Sequence, residues 1–230
     1  MGYRRVVNFH GVGTPGREIE PGEAPYWISE DQFKWMLDLI APVSSELNIA
    51  ITFDDGNVSD LTVGLPELAQ RGMIAEFFIL TGRLGSAGSL DVDGVKHLLD
   101  AGMTIGSHGV DHLDLASLSP EALDNELRYS KRALDAICGY PITSLSAPFG
   151  RYDAKVLRAA KNAGYECIYS SDGGPMKPAS FLRSRTSVRN DMDEQGFLHI
   201  LHDNMPLLKR VRRSLGRVRR ATEARLRKLK

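Results

Sequence analysis

Segments rich in β-branched and apolar residues alternate along this chain with segments whose apolar residues recur at helical spacing. Such alternation leaves few choices: a parallel sheet or barrel whose strands are joined by helices packed outside it. The pattern predicts strands at 6–10, 49–53, 75–80, 104–107, 144–147, 166–170 and 182–188, and helices at 29–40, 61–71, 91–101, 119–138 and 153–163. Boundary chemistry agrees. Ser29 with Gln32 three residues on can form a capping box, and Ser119 is an N-cap followed by Pro120 at the first helical position. Pro66 predicts that the second helix kinks or starts late. Gly72, Gly102, Gly139 and Gly164 fall just past helix ends, where left-handed backbone is wanted.

Three of the predicted strands end in residues that carry chemistry. After 49–53 come Asp54, Asp55 and Gly56; two adjacent carboxylates repel unless positive charge sits beside them. After 104–107 come His108 and His112, four apart, so that one helical turn or a tight loop converges both rings on one ion. After 144–147 comes Pro148-Phe149-Gly150. In a parallel barrel the C-terminal strand ends gather on one face. One aspartate of the pair, with His108 and His112, then offers three ligands with open positions for water and substrate, the arrangement of a hydrolytic rather than a closed structural metal site. Zinc is the default for this donor set, with Co, Ni, Fe and Mn left open.

Taken in order, TFDDG (52–56), SHGVDH (107–112) and APFGRY (147–152) resemble the motifs of the polysaccharide deacetylase family, the NodB homology domain of carbohydrate esterase family 4. The resemblance runs from about residue 3 to 189. It implies a distorted, incomplete (β/α) barrel, and the seven predicted strands agree with it. It also implies that Asp54 is the general base, that Asp55 joins the two histidines on the metal, and that the Phe149 N–H faces a developing oxyanion. Pro148, Phe149 and Gly150 would wall the substrate groove, and Tyr152 would stack on a sugar ring or simply pack.

Two departures from the family stand out. Many members carry an Arg, paired with the base, where this chain has Ser146, which supplies no charge. The family's late general-acid His has a counterpart in His202, but its surroundings have helical spacing, which favours a helix-face residue. His10, ending the first strand, is another candidate for the pocket. Asp172 and Arg183 or Arg185 are further candidates for charge partners near later strand ends, a surface role being equally open.

No stretch approaches the roughly twenty apolar residues of a membrane span. The chain opens directly into a strand-like run without the longer apolar stretch of a signal peptide, and its two cysteines show no close spacing, so a cytoplasmic protein with reduced thiols is expected. The zero net charge hides a split. Residues 206–230 hold eleven Lys or Arg against the single acid Glu223, so residues 1–205 are acidic overall. We therefore expect a catalytic domain over 1–205 and a basic amphipathic tail over 206–230. That tail suits an anionic membrane surface, such as the inner face of the cell membrane, or a solvated helix. Specific nucleic-acid binding is not expected of an acidic body without a reading element. The leading expectation is a metal-dependent hydrolase that removes an N-acyl group from an amino sugar of a polysaccharide or lipid-linked glycan precursor. The alternatives are an amidase acting on a non-sugar C–N bond and a catalytically impaired, membrane-associated scaffold, the last favoured by Ser146.

Overall fold

The computed structural model describes residues 3–202 together with Leu215, Gly216 and Arg220. Its strands are β1 (Arg5–Phe9), β2 (Gly11–Val12), β3 (Trp27–Ile28), β4 (Ile49–Phe53), β5 (Ala75–Ile79), β6 (Thr104–Ser107), β7 (Ser144–Ser146), β8 (Cys167–Ser170), β9 (Leu182–Ser184) and β10 (Thr186–Ser187). The helices are α1 (Glu30–Ile40), α2 (Leu65–Gln70), α3 (Val92–Asp100), α4 (Pro120–Cys138), α5 (Ala154–Asn162) and α6 (Glu194–His202). Eight strands form one sheet in the order β10-β1-β4-β5-β6-β7-β8-β9, each parallel to its neighbour. The predicted strand at 182–188 is broken at Arg185. Its first half pairs with β8 and its second with β1, so one segment joins the two ends of the sheet and nearly closes the barrel.

The two faces of the sheet follow from the period of two along each strand. Phe9, Phe53 and Phe77 stand in register across β1, β4 and β5 and stack, with centroids 5.4 and 4.7 Å apart. Phe33 of α1 closes on Phe9 edge-to-face at 5.0 Å. All four are fully buried, each contributing roughly 1.5–3 kcal/mol. The neighbouring register row, Asn8, Thr52 and Glu76, faces the other way, into the barrel. That interior is narrow. A Cβ on Gly106 would lie 2.4 Å from the Phe78 ring, so only glycine admits the aromatic there.

Helix boundaries obey the capping chemistry. Ser29 accepts from the Gln32 N–H at 3.0 Å, but the Gln32 side chain donates instead to the carbonyls of Arg189 and Met192, so the reciprocal half of the box is absent. Ser119 caps α4 through Ala122, and Gly139 ends it at φ +74°. The start of the second helix, Asp60–Gly64, is a π-turn and α2 proper begins at Leu65, because Pro66 has no N–H to give a preceding turn. The small β2–β3 pair was not anticipated. It ties down both ends of the long loop between them, which reaches over the C-terminal face of the barrel. The expected tail helix, and the division at 205/206, lie outside the described residues apart from Leu215, Gly216 and Arg220.

Candidate active site

The β4 strand carries one residue past its end, since the Asp54 N–H still donates to the Phe9 carbonyl at 3.0 Å. The chain then turns through two left-handed residues, Asp55 at φ +79° and Gly56 at φ +68°. Aspartate tolerates that region better than most side chains. The reversal gives the adjacent carboxylates different surroundings.

Asp54 lies in the polar upper layer of the barrel. Arg185 clamps it bidentately, Nη1 to Oδ1 and Nη2 to Oδ2, both at 2.7 Å. Asn8 Nδ2 and Ser146 Oγ also donate to Oδ2, at 3.1 and 3.3 Å. Burial alone would raise the Asp54 carboxyl, but the charge and hydrogen bonds of Arg185, together with the neighbouring His108 and His10, outweigh it and hold the group far below the usual carboxylate range. Arg185 is fully buried, donates to Ser146 Oγ at 2.6 Å, and lies over the rings of Phe78 and Tyr169. The charge that Ser146 cannot supply thus comes from the break between β9 and β10.

Asp55 meets the histidines. Its Oδ1 is 3.5 Å from His108 Nε2 and 3.6 Å from His112 Nε2. Ligands about 2.1 Å from one tetrahedral ion stand roughly 3.4 Å apart, so these spacings suit a shared cation. The donor set fits in other ways too. Asp55 Oδ1 is buried with no hydrogen-bond donor among the described residues, and the three ligand atoms lie within 4.8 Å of one another. Each imidazole is anchored through Nδ1, which leaves Nε2 free. His108 donates to the Ser146 carbonyl at 2.9 Å, and His112 to Glu20 Oε2 at 2.7 Å. Burial lowers His108 to about 4, so its ring is neutral at ordinary pH.

A tight loop, not a helical turn, brings the histidines together. Glu126, buried on α4, accepts from the N–H groups of Val110 (2.7 Å) and Asp111 (3.3 Å), and the loop reaches His112 at φ +55°. Beneath the site Asp60 is fully buried. Burial first, then the charges of Asp55 and Asp54, raise its carboxyl well above the ordinary range.

Above these residues opens a pocket of about 320 Å³. His10, Tyr26 and the loop residues Glu20–Glu23 form part of its wall, with Phe149, Gly150 and Arg151 also lining it. Phe149 is half exposed, holds φ +57°, and lays its ring 4.5 Å from that of His112. Gly150 allows this close loop, because a Cβ there would lie 2.5 Å from the Ser171 backbone nitrogen. His10 Nε2 is 3.9 Å from Asp54 Oδ2, and its ring packs on Tyr26 at 4.9 Å.

Three sequence candidates fall elsewhere. Tyr152 is buried and donates its hydroxyl to Asp172 at 2.7 Å, so it packs instead of offering a face to the metal pocket. Asp172 also accepts from Ser170 Oγ and pairs with Arg220, lining a neighbouring cavity beyond Phe149. His202 is exposed at the end of α6, where its carbonyl accepts from Arg5 at the start of β1. That is the opposite end of the strand from His10, so the structure does not bring His202 to the pocket.

Fold and site together define a parallel-barrel protein with a hydrolase-like His/His/Asp cluster at its C-terminal face. The sequence profile of the polysaccharide deacetylase family matches residues 43–168, and the chain belongs to that family. It is 33% identical over 179 residues to YxkH of Bacillus subtilis (strain 168), which bears the name of a polysaccharide deacetylase; the match covers 75% of this chain and 63% of the relative. It is 27% identical over 170 residues to the chitooligosaccharide deacetylase of Rhizobium leguminosarum bv. trifolii, covering 71% and 74%. The fold superposes on the Streptococcus pyogenes deacetylase PplD with a TM-score of 0.74 at 22% identity, over 87% of this chain and 98% of that one.

Proposed function

We propose that the protein is a metal-dependent hydrolase that removes the N-acetyl group from an amino sugar of a glycan. The observation that carries this reading is the cluster of Asp55, His108 and His112 beside the clamped carboxylate of Asp54. Names of relatives that act on chitooligosaccharide and on peptidoglycan N-acetylglucosamine support the substrate class. A divalent ion held by the three ligands would polarise the acyl oxygen and make a water more acidic, zinc being the default.

In this reading Asp54 takes a proton from the attacking water. The Arg185 clamp keeps that carboxylate ionised despite burial, in the form that can accept the proton. As oxygen adds to the acyl carbon, the Phe149 N–H stabilises the oxyanion, preorganised by its left-handed loop. The C–N bond then breaks and the amine needs a proton. His10 lines the pocket within 3.9 Å of Asp54 and is the residue we assign to deliver it. The scaffold alternative rested on Ser146; the Arg185 guanidinium on Asp54 weighs against it.

The basic pattern of residues 206–230 supports contact with an anionic membrane surface, and hence a place on the inner face of a membrane; both rest on sequence alone.

The test is acetate release from N-acetylated glucosamine oligomers, set beside a panel of small cyclic amides. Asp54→Asn is expected to keep its metal and lose about 10²–10⁴-fold in turnover. Turnover of the amides but not the sugars would overturn the substrate class. Metal loss in Asp54→Asn with retention in Asp55→Asn would reverse the two roles.

A further inference from the structure

His112 is the more exposed of the two histidines and reaches the cluster from a left-handed backbone position, so something outside its own loop must aim it. The group that does so comes from the loop between β2 and β3. Glu20 accepts from His112 Nδ1 at 2.7 Å through one carboxylate oxygen and pairs with Arg83 through the other. The loop holding Glu20 is itself pinned. Its backbone N–H donates to Glu23 at 2.7 Å; Glu23 is gripped by Arg17 and accepts from the Trp27 indole at 2.9 Å. Arg17 also donates to Asn57 Oδ1, at 3.2 Å from Nε and 3.1 Å from Nη2. Asn57 lies two residues past Asp55. One loop therefore grips the segment carrying Asp55 and the ring of His112, while Glu20 and Glu23 also line the pocket.

We propose that Glu20 is a positioning residue that fixes the orientation of His112 with Nε2 toward the cluster, so that cation retention depends on the loop at 17–23. A carboxylate on the far nitrogen of a ligating imidazole sets its tautomer, aims the ring and raises its donor strength. His108 has only a backbone carbonyl in that place. The two histidines are thus held differently: His108 by the barrel, His112 by a loop that also borders the substrate's path. This inference rests on the metal reading above.

The experiment measures Zn²⁺ affinity of the full chain by competition with a chromophoric chelator, and the visible spectrum of the Co²⁺ form. Glu20→Ala is expected to weaken Zn²⁺ binding by about 10–100-fold and to change the Co²⁺ bands. Glu20→Gln, which keeps an acceptor without the charge, should fall between it and the parent. Arg17→Ala, which frees the loop but keeps Glu20, should weaken binding as well. Circular dichroism and melting of the metal-free forms establish that each variant is folded. If Glu20→Ala is folded and binds within twofold of the parent, the proposal is overturned; should it not fold, unchanged affinity in Glu20→Gln overturns it equally. A parent that binds no Zn²⁺ would instead bring down the metal reading on which the inference stands.

Discussion

His108→Ala and His112→Ala are each expected to purify as folded proteins that hold no stoichiometric divalent ion. Neither ring is part of a strand, and His108 gives up only one hydrogen bond to the Ser146 carbonyl. On the proposed assignment each loses a direct ligand, leaving Asp55 and one imidazole. Loss of an outer partner costs roughly 10–100-fold in affinity, and loss of a ligand should exceed that. Elemental analysis of the dialysed variants beside the parent reads the result. Hydrolysis should fall to background in both, because the acidified water and the polarised acyl group disappear together. Full occupancy in the double variant would refute the ligand assignment.

Arg185→Ser is expected to show the largest loss of stability of any single change near the pocket. Removing one partner of a buried ion pair leaves the other charge uncompensated and costs about 3–5 kcal/mol. In a protein of this size that lowers Tm by roughly 6–20 °C. The informative variant is the double change Ser146→Arg with Arg185→Ser. Position 146 adjoins both Asp54 and the Arg185 guanidinium, at 3.3 and 2.6 Å from the serine oxygen, so an arginine there can grow into the vacated space. We expect it to recover a substantial part of both Tm and turnover relative to Arg185→Ser. Arg185→Lys should recover less than a full guanidinium does, since a point charge cannot reproduce the two-pronged clamp. A folded double variant with no recovery would show that charge beside Asp54 is not what Arg185 contributes.

The strands and most helices were legible in the sequence because each alternates or recurs on its own period, with caps such as Ser119 and Gly139 marking ends locally. The motif residues were legible because a parallel barrel gathers its strand ends. Asp55, His108 and His112 meet as a consequence of that topology. The partners of those residues were far less visible. Arg185 is 131 residues from Asp54 and Glu20 is 92 from His112, and neither sits in a pattern that marks its direction. Arg185 could be suspected only as one of two arginines near a late strand end. Its burial follows from the break that lets one segment pair with both β8 and β1. The motif left Tyr152 open between stacking on a sugar and packing, and the structure shows it packed, its hydroxyl buried against Asp172. Helical spacing around His202 was readable, and it placed that residue on α6, away from the pocket.

In the proposed function one divalent ion on Asp55, His108 and His112 serves deacetylation. The direct measurement is acetate release from an N-acetylglucosamine oligomer by the purified full chain, before and after chelation and after adding back Zn²⁺ or Co²⁺. Release is expected to stop on removal of the ion and to return with one equivalent of metal per chain. Undiminished release from the metal-free protein would contradict it.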